Sequence, residues 1–337
     1  MKIVIVTDAW RPQINGVVNT YLHTAEQLRR RGYEVTLITP NQFSTIPCPT
    51  YPEIKLSFTS PRRLFTLLAA AAPHAVHLAT EGPLGWAARG ACRKVGFGFT
   101  TTYHTRFPEY IRVRFPIPLS FTYWVVRTFH NGATRTMAAT SELREELNSR
   151  GFKNVVPWAR GVDTEMFRPC RSPDVQNEEP IFTYMGRVAP EKNIEAFLQL
   201  DLPGRKCVIG DGPARAELRR MYPDAHFAGY RQGKELARLL AASAVFVFPS
   251  RTDTFGVVQL EAMACGVPVA AYPASGPREL IENGVNGWMD EDLRTAVLKC
   301  LDIDRSRCRA CAEKFSWQAS TEQFLANLEF SQTPFPG

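Results

Sequence analysis

Apolar runs and amphipathic stretches alternate along most of the chain. "KIVIVT" opens it as a continuous apolar run, and the loop "DAWRPQINGVVN" follows. "TYLHTAEQLRRRG" then carries apolar positions at helical spacing and closes on Gly32 before the next apolar run, "YEVTLITP". "AVHLATEGPLG" and "FGFTTTYHTRF" each read as a strand entering a polar loop, and "ATRTMAATSELREELNSRGF" as a strand, a cap at Ser141 and a helix ending at Gly151. The polar, proline-bearing stretch "RGVDTEMFRPCRSPDVQNEEPIF" interrupts this rhythm. The alternation then restarts in "IFTYMGRVAPEKNIEAFLQL", "RKCVIGDGPARAELRRMY", "AHFAGY", "AVFVFPS" and "PVAAYP". Repeated strand-helix alternation predicts parallel sheets covered by helices on both faces. The expected fold is therefore α/β, with two doubly wound, Rossmann-like domains facing across a cleft. The first spans residues 1–168 and the second 169–314, with a closing helix at about 315–337 that packs back on the first.

One segment breaks the pattern of apolar interiors. "TDTFGVVQLEAMACGVPVAAYP" (252–273) places Asp253 and Glu261 in an otherwise apolar stretch, although an unpaired buried carboxylate is costly. The run 244–250 predicts a buried strand, helical spacing begins near Gly256, and Gly266 with Pro268 stops the helix. The loop between them sits at the carboxyl end of a parallel strand, where open α/β sheets bind ligands. Asp253 precedes the helix and Glu261 is expected two turns inside it, about 12 Å apart at 1.5 Å per residue. A glycosidase pair needs about 5–9.5 Å across one bond. The spacing suits the two ends of a long ligand instead.

Other strand-end loops carry matching chemistry. "MGRVAPEKN" (185–193) sets Arg187 and Lys192 before a helix start, where cations and free N–H groups suit a diphosphate, although an ordinary charged loop reads the same way in isolation. "VIGDGPAR" (208–215) holds Gly210, Asp211 and Gly212, a weak G-x-G signal. Gly16 in "QINGVVNT" follows the first strand, where a side chain would obstruct a ligand. The dinucleotide fingerprint GxGxxG is missing there, which argues against a nicotinamide enzyme. His104 stands at a strand end in "TTYHTRFPEY"; lone histidines are commonly structural, but that position favours function.

Charge adds a surface to this picture. The 337 residues carry a net charge of +7, but residues 1–168 hold 21 basic and 11 acidic groups, so the excess is concentrated in the first half. Within 88–135 eight basic residues face one acid, Glu109. They interleave with "YIRVRFPIPLSFTYWVVRTF" (110–129), whose longest uncharged run, 12 residues, is too short to span a bilayer. Arg106, Tyr110, Arg112, Arg114, Phe115 and Trp124 are the candidate membrane and acceptor residues, lying on an anionic surface. The competing reading is a buried helix. No nucleic-acid motif accompanies the charge, so nucleic acid is not an expected partner. Eight cysteines fall in no metal pattern, the lone CxxC of Cys308 and Cys311 reads as structural, and the N-terminus does not read as a signal peptide. The expectation is a reduced, cytoplasmic protein without metal or cofactor, peripheral on the inner face of the membrane.

Taken together, "TDTFGVVQLEAMACGVPVAA", "PQINGVVNT", "TEGPLG", "TYHTRFPEY", "RGVDTEMF", "GRVAPEKN" and "IGDGP" resemble, in order, the motifs of the family 4 retaining glycosyltransferases, which have the GT-B fold. The style of the first motifs is most similar to bacterial and plastid lipid glycosyltransferases: glucosyl- and glucuronosyl-diacylglycerol synthases, sulfolipid synthases and related mannosyltransferases. The resemblance implies that Glu261 holds the ribose of a nucleotide sugar. Asp253, with the backbone of Phe255, Gly256 and Val257, would hold the hexose and diphosphate. Arg187 and Lys192 would stabilise the leaving diphosphate, Gly16 would admit it, Gly210 and Asp211 would line the donor site, and His104 would touch the sugar. Asp253 stands where the family's first acid is more often Glu, an arm shorter by one methylene. The implied reaction moves hexose or hexuronic acid, from UDP-glucose or UDP-glucuronate ahead of GDP-mannose, to a lipid, with diacylglycerol favoured. A soluble acceptor and a non-catalytic nucleotide-sugar-binding protein are the alternatives.

Overall fold

The computed structural model describes residues 1–11, 16–48, 51–104, 106–114, 116–170, 179–253 and 255–337; the side chains of residues 48, 51–54, 110, 113 and 114 fall outside the description. The chain forms two compact units, Met1–Arg160 with Ser320–Gly337, and Gly161–Ala319.

The first unit is built on a six-stranded parallel sheet. Its strands are β1 (Lys2–Val6), β2 (Glu34–Ile38), β5 (Ala75–Leu78), β6 (Thr100–Thr102), β7 (Arg135–Ala138) and β8 (Val155–Pro157), in the order β2-β1-β5-β6-β7-β8. Strands β3 (Thr45–Cys48) and β4 (Tyr51–Ser57) pair separately as an antiparallel ribbon. Each inner strand is buried on both faces, and for that reason its sequence reads as an unbroken apolar run and not as an alternation. Helices Pro61–Ala71 and Pro83–Lys94 pack Leu64, Leu68, Ala88 and Cys92 against Val4, Val76 and Leu78 on one face. Tyr21, Leu28, Trp158 and Phe324 fill the other.

The second unit repeats the plan. Strands β9 (Ile181–Met185), β10 (Arg205–Ile209), β11 (His226–Gly229), β12 (Val245–Phe248), β13 (Val269–Ala271) and β14 (Gly287–Met289) run parallel in the order β11-β10-β9-β12-β13-β14. Phe182, Val208, Val245 and Val247 are fully buried beneath Phe197, Ala296 and Val297.

Three expectations shift. Helix Ser141–Ser149 is capped by Thr140, not Ser141: the extended Thr140 backbone lets its hydroxyl accept the Leu143 N–H at 3.2 Å. Glu261 lies one turn, not two, inside its helix, because left-handed Gly256 (φ 77°) holds the preceding residues out and the helix starts at Val257. Residues 161–168 belong with the second unit. The Arg309 guanidinium donates to the carbonyls of Thr164, Phe167 and Ala264 at 2.7–2.9 Å, and Val162 bridges to Ser316.

Candidate active site

Strand order reverses between β9 and β12, and such a reversal opens a crevice at the carboxyl ends of the two strands. Both acids and both cations singled out from the sequence sit on the segments that follow these two strands. Lys192 Nζ donates to Asp253 Oδ1 at 2.5 Å, with each side chain about a fifth exposed (22% and 23%). Left-handed Asn193 (φ 54°) donates its amide to the Pro249 carbonyl at 3.1 Å, and the Thr252 hydroxyl reaches the Glu191 carbonyl at 3.3 Å. The loops after β9 and β12 are thus laced together. Arg187 pairs with Glu191 and stays largely exposed, while the Tyr184 hydroxyl fixes the Arg187 carbonyl at 2.9 Å.

Gly256 is required twice over. Its φ of 77° disfavours any side chain, and a Cβ would lie 2.7 Å from Gln259 Nε2 and 2.8 Å from the Phe248 ring. Phe255 is buried beside it, with its carbonyl accepting the Gln259 amide at 2.9 Å. Gln259 N–H closes on the Gly256 carbonyl at 2.9 Å, which leaves the N–H groups of Val257 and Val258, at the start of helix Val257–Ala264, as a seat for an anion. One turn on, the Glu261 carboxylate finds no donor among the described residues, and burial pushes its pKa up to about 7. A desolvated acid with no donor among the described residues makes Glu261 a candidate ligand-binding group.

Gly210 has a structural task of its own. A Cβ there would fall 1.9 Å from the Gly186 carbonyl oxygen, so the loops after β9 and β10 can meet only through glycine. Val188 N–H donates to the Asp211 carbonyl at 2.9 Å and Ala214 N–H to that of Val188 at 3.1 Å. Asp211 itself is exposed and accepts from Gly212 N–H and Arg215.

In the first unit His104 anchors a buried polar chain. Arg160 can only donate, and its Nη2 lies 2.9 Å from His104 Nδ1, so the ring proton sits on Nε2 and is directed at the Tyr21 hydroxyl, also 2.9 Å away. Tyr21 continues to Thr102 at 3.2 Å and to His77 at 2.9 Å. Burial keeps His104 well below the usual histidine range and His77 down to about 3, so both are neutral. Arg160 is 7% exposed, is held down to about 10 by burial, and leaves Nη1 without a partner. Gly16 opens helix Gly16–Arg30, and a Cβ there meets nothing within 4 Å.

The sequence reading missed Tyr21 and Arg160. Tyr21 shares helical spacing with Val18, Ala25 and Leu28, which gives it the pattern of a core residue. Arg160 opens the polar "RGVD" stretch, where a guanidinium looks solvated.

The membrane candidates divide. Arg106 is tied to Glu146 at 2.8 Å, Arg112 is exposed on helix Phe107–Arg114, and Trp124 is 53% exposed on helix Leu119–His130. The side chains of Tyr110 and Arg114, and Phe115 altogether, lie outside the described residues. Helix Leu119–His130 is amphipathic: Tyr123, Val126 and Phe129 are buried, so the buried-helix reading holds for one face and the surface reading for the other. No described helix is long and apolar enough to cross a membrane, and no three described His, Cys, Asp or Glu side chains gather as metal ligands.

Comparison with known proteins agrees with this layout. Residues 14–166 match the family model described as Glycosyltransferase Family 4, and residues 179–302 that described as Glycosyl transferases group 1. A GDP-mannose-dependent alpha-mannosyltransferase of Mycobacterium tuberculosis is 34% identical, over 83% of this chain and 81% of its own. One of the same description from Corynebacterium glutamicum is 31% identical over 96% and 88%. The sulfoquinovosyl transferase of Arabidopsis thaliana is 28% identical over 94% and 72%. Among solved structures, Anabaena HepE in complex with UDP-glucose superposes with a TM-score of 0.70 at 18% identity, covering 97% of this chain and 98% of that one.

Proposed function

Because this chain belongs to glycosyltransferase family 4 and is a retaining hexosyltransferase drawing on a nucleotide sugar, we propose that it moves mannose from GDP-mannose to a lipid acceptor at an anionic membrane surface. The sequence favoured UDP-glucose and UDP-glucuronate. Two relatives above 30% identity whose names specify GDP-mannose support the opposite order. A UDP-sugar remains the second reading, favoured by the 28% identity to a sulfoquinovosyl transferase over 94% of this chain and by the resemblance of the motifs to lipid synthases. The protein would act from the cytoplasmic side of the membrane.

The observation that carries the donor site is the pairing of Lys192 with Asp253 on the loop that leads into the helix bearing Glu261, whose carboxylate finds no donor among the described residues. Glu261 accepts the two ribose hydroxyls. The diphosphate lies at the start of helix Val257–Ala264, where Lys192 and Arg187 balance the charge that grows on it as the bond to the sugar breaks. Donor binding takes Lys192 from Asp253, which turns to the hexose hydroxyls. Carbon 1 of the sugar exchanges its bond to the phosphate oxygen for one to the acceptor oxygen on the same face, and the leaving phosphate takes the acceptor's proton.

The experiment supplies GDP-mannose, UDP-glucose and UDP-glucuronate separately to the protein with anionic vesicles containing diacylglycerol, and analyses the lipids by mass spectrometry. A mannosyl lipid from GDP-mannose alone is expected. A hexosyl lipid from a UDP-sugar alone would overturn the donor assignment, and donor turnover that produces only soluble glycosides would overturn the lipid acceptor.

A further inference from the structure

Helices Pro83–Lys94 and Leu119–His130 both finish on basic residues, and their packing gathers arginines. Arg89 is 9% exposed and fixed: Nη2 donates to the Thr128 carbonyl at 2.8 Å and Nε to that of Phe129 at 3.2 Å. It thereby satisfies the final turn of the second helix, with the Trp86 ring 5.1 Å beneath its guanidinium. Gly132 makes room for it, since a Cβ there would stand 2.9 Å from Arg89 Nε. Arg127 spends one amino group on the Arg150 carbonyl at 2.8 Å, and Arg93 is exposed.

Arg89, Arg93, Arg127, Trp124 and Gly132 line a pocket of about 350 Å³ that no carboxylate enters. It is a shallow depression open to solvent. None of the three arginines pairs with an acid among the described residues, whereas Arg106 and Arg150 both pair with Glu146. Like charges gathered without a counter-ion call for an anion, and guanidinium forks suit phosphate.

The rim indicates which phosphate. Phe121 and Trp124 stand 54% and 53% exposed, one turn apart, with stacked rings 5.8 Å between centroids, and Ile117 just before the helix is 36% exposed. A soluble surface hides such rings; a lipid interface takes them up. We propose that the Arg89–Arg93–Arg127 pocket binds the phosphate of an anionic phospholipid headgroup while Phe121 and Trp124 enter the bilayer interface beside it. The inference rests on the membrane reading above and gives it a headgroup site separate from the donor site.

The test measures co-sedimentation with phosphatidylcholine vesicles, with and without phosphatidylglycerol, for the wild type, Arg93→Glu, Arg93→Glu with Arg127→Glu, Phe121→Ser with Trp124→Ser, and Lys234→Glu as an exposed charge reversal in the second unit. Calorimetric binding of GDP and UDP to each variant runs alongside. The wild type should prefer phosphatidylglycerol vesicles. Arg93→Glu should weaken that binding by about tenfold, since each basic residue near an anionic surface contributes about 1 kcal/mol and the reversal removes one and opposes it. The double arginine variant should weaken it further, the aromatic variant should lose vesicle binding, and Lys234→Glu should bind as wild type, all with nucleotide affinity unchanged. Soluble glycerol phosphate should compete only weakly. Arg93 has no ion-pair partner among the described residues, so Arg93→Glu reports even if the Arg127 change disturbs folding. Equal vesicle binding by wild type and Arg93→Glu would overturn the pocket while leaving the membrane reading intact. A wild type that ignores phosphatidylglycerol would overturn both, and full competition by glycerol phosphate would make the site one for free phosphate esters.

Discussion

Glu261 and Lys192 are the residues on which the proposed donor site turns. Burial raises the Glu261 carboxyl from 4.5 to about 7 in the folded chain. Between those values the native state holds a proton that the unfolded chain has released, so this group's contribution to stability is full below about 4.5 and is lost as pH rises through 7. Glu261→Gln should therefore leave stability nearly unchanged at pH 4.5 and raise it by up to about 3 kcal/mol at pH 8, read from urea denaturation at the two values. An equal change at both would show that the carboxyl titrates normally. The same substitution should weaken nucleotide binding, because the ionised form is the better acceptor for two hydroxyls. Lys192→Ala removes the cation beside the diphosphate; kcat should fall by roughly 100- to 1,000-fold with little change in melting temperature, and wild-type turnover would exclude it from the reacting centre. Glu261 drew notice in the sequence because a carboxylate within an apolar stretch is costly, whereas Lys192, in a loop that reads as ordinary and charged by itself, drew notice only beside the other motifs. Tyr21 and Arg160 drew none, since a tyrosine at core spacing and an arginine in a polar loop look ordinary until a fold brings them to His104.

At the scale of elements, the loops fix the site more than the helices do. Gly210→Ala would force a methyl into the Gly186 carbonyl at a φ of 141°, and should cost at least about 2 kcal/mol in urea denaturation; a smaller loss would show that the loops can part. The sequence offered Gly210 as half of a G-x-G and therefore as a ligand contact, while its close approach to Gly186 depends on the register of β9 against β10, which no local pattern encodes. The parallel strands themselves were readable, being continuous apolar runs bounded by glycine and proline. The ribbon of β3 and β4 escaped because Pro47 and Pro52 sit within it, and proline in a short run argues against a strand. The helix carrying Trp124 was legible only as ambivalent, and it is so: one face is core and the other is exposed aromatic.

For the whole molecule, repeated alternation and one polar interruption were enough to give two doubly wound units. The exact division was not, because Arg309, distant in sequence, decides where residues 161–168 belong. The last 18 residues, Ser320–Gly337, complete the first unit. Phe324 lies 4.9 Å from both Trp158 and His77, Ser320 accepts the Trp158 indole N–H at 3.0 Å, and Phe335 is buried against Phe65 and Phe97. A chain ending at Ala319 should lose hydrogen-exchange protection across β1, β5 and β7 and keep it across β9, β10 and β12. Undiminished protection of β1 would show these aromatic contacts to be dispensable.

That returning segment also sets an order of events on the ribosome. Domains ordinarily fold as they emerge, the first-made half first. Here the half made first lacks Phe324 and Phe335 until residues 320–337 are made, while Gly161–Ala319 is complete earlier. The second unit is then the first able to close its core, and the basic, aromatic-bearing half stays open until residues 320–337 follow. A nascent chain stalled before residue 320 would expose that half to chaperones and proteases, so synthesis of Ser320–Gly337 becomes the step that commits the first unit to its native form.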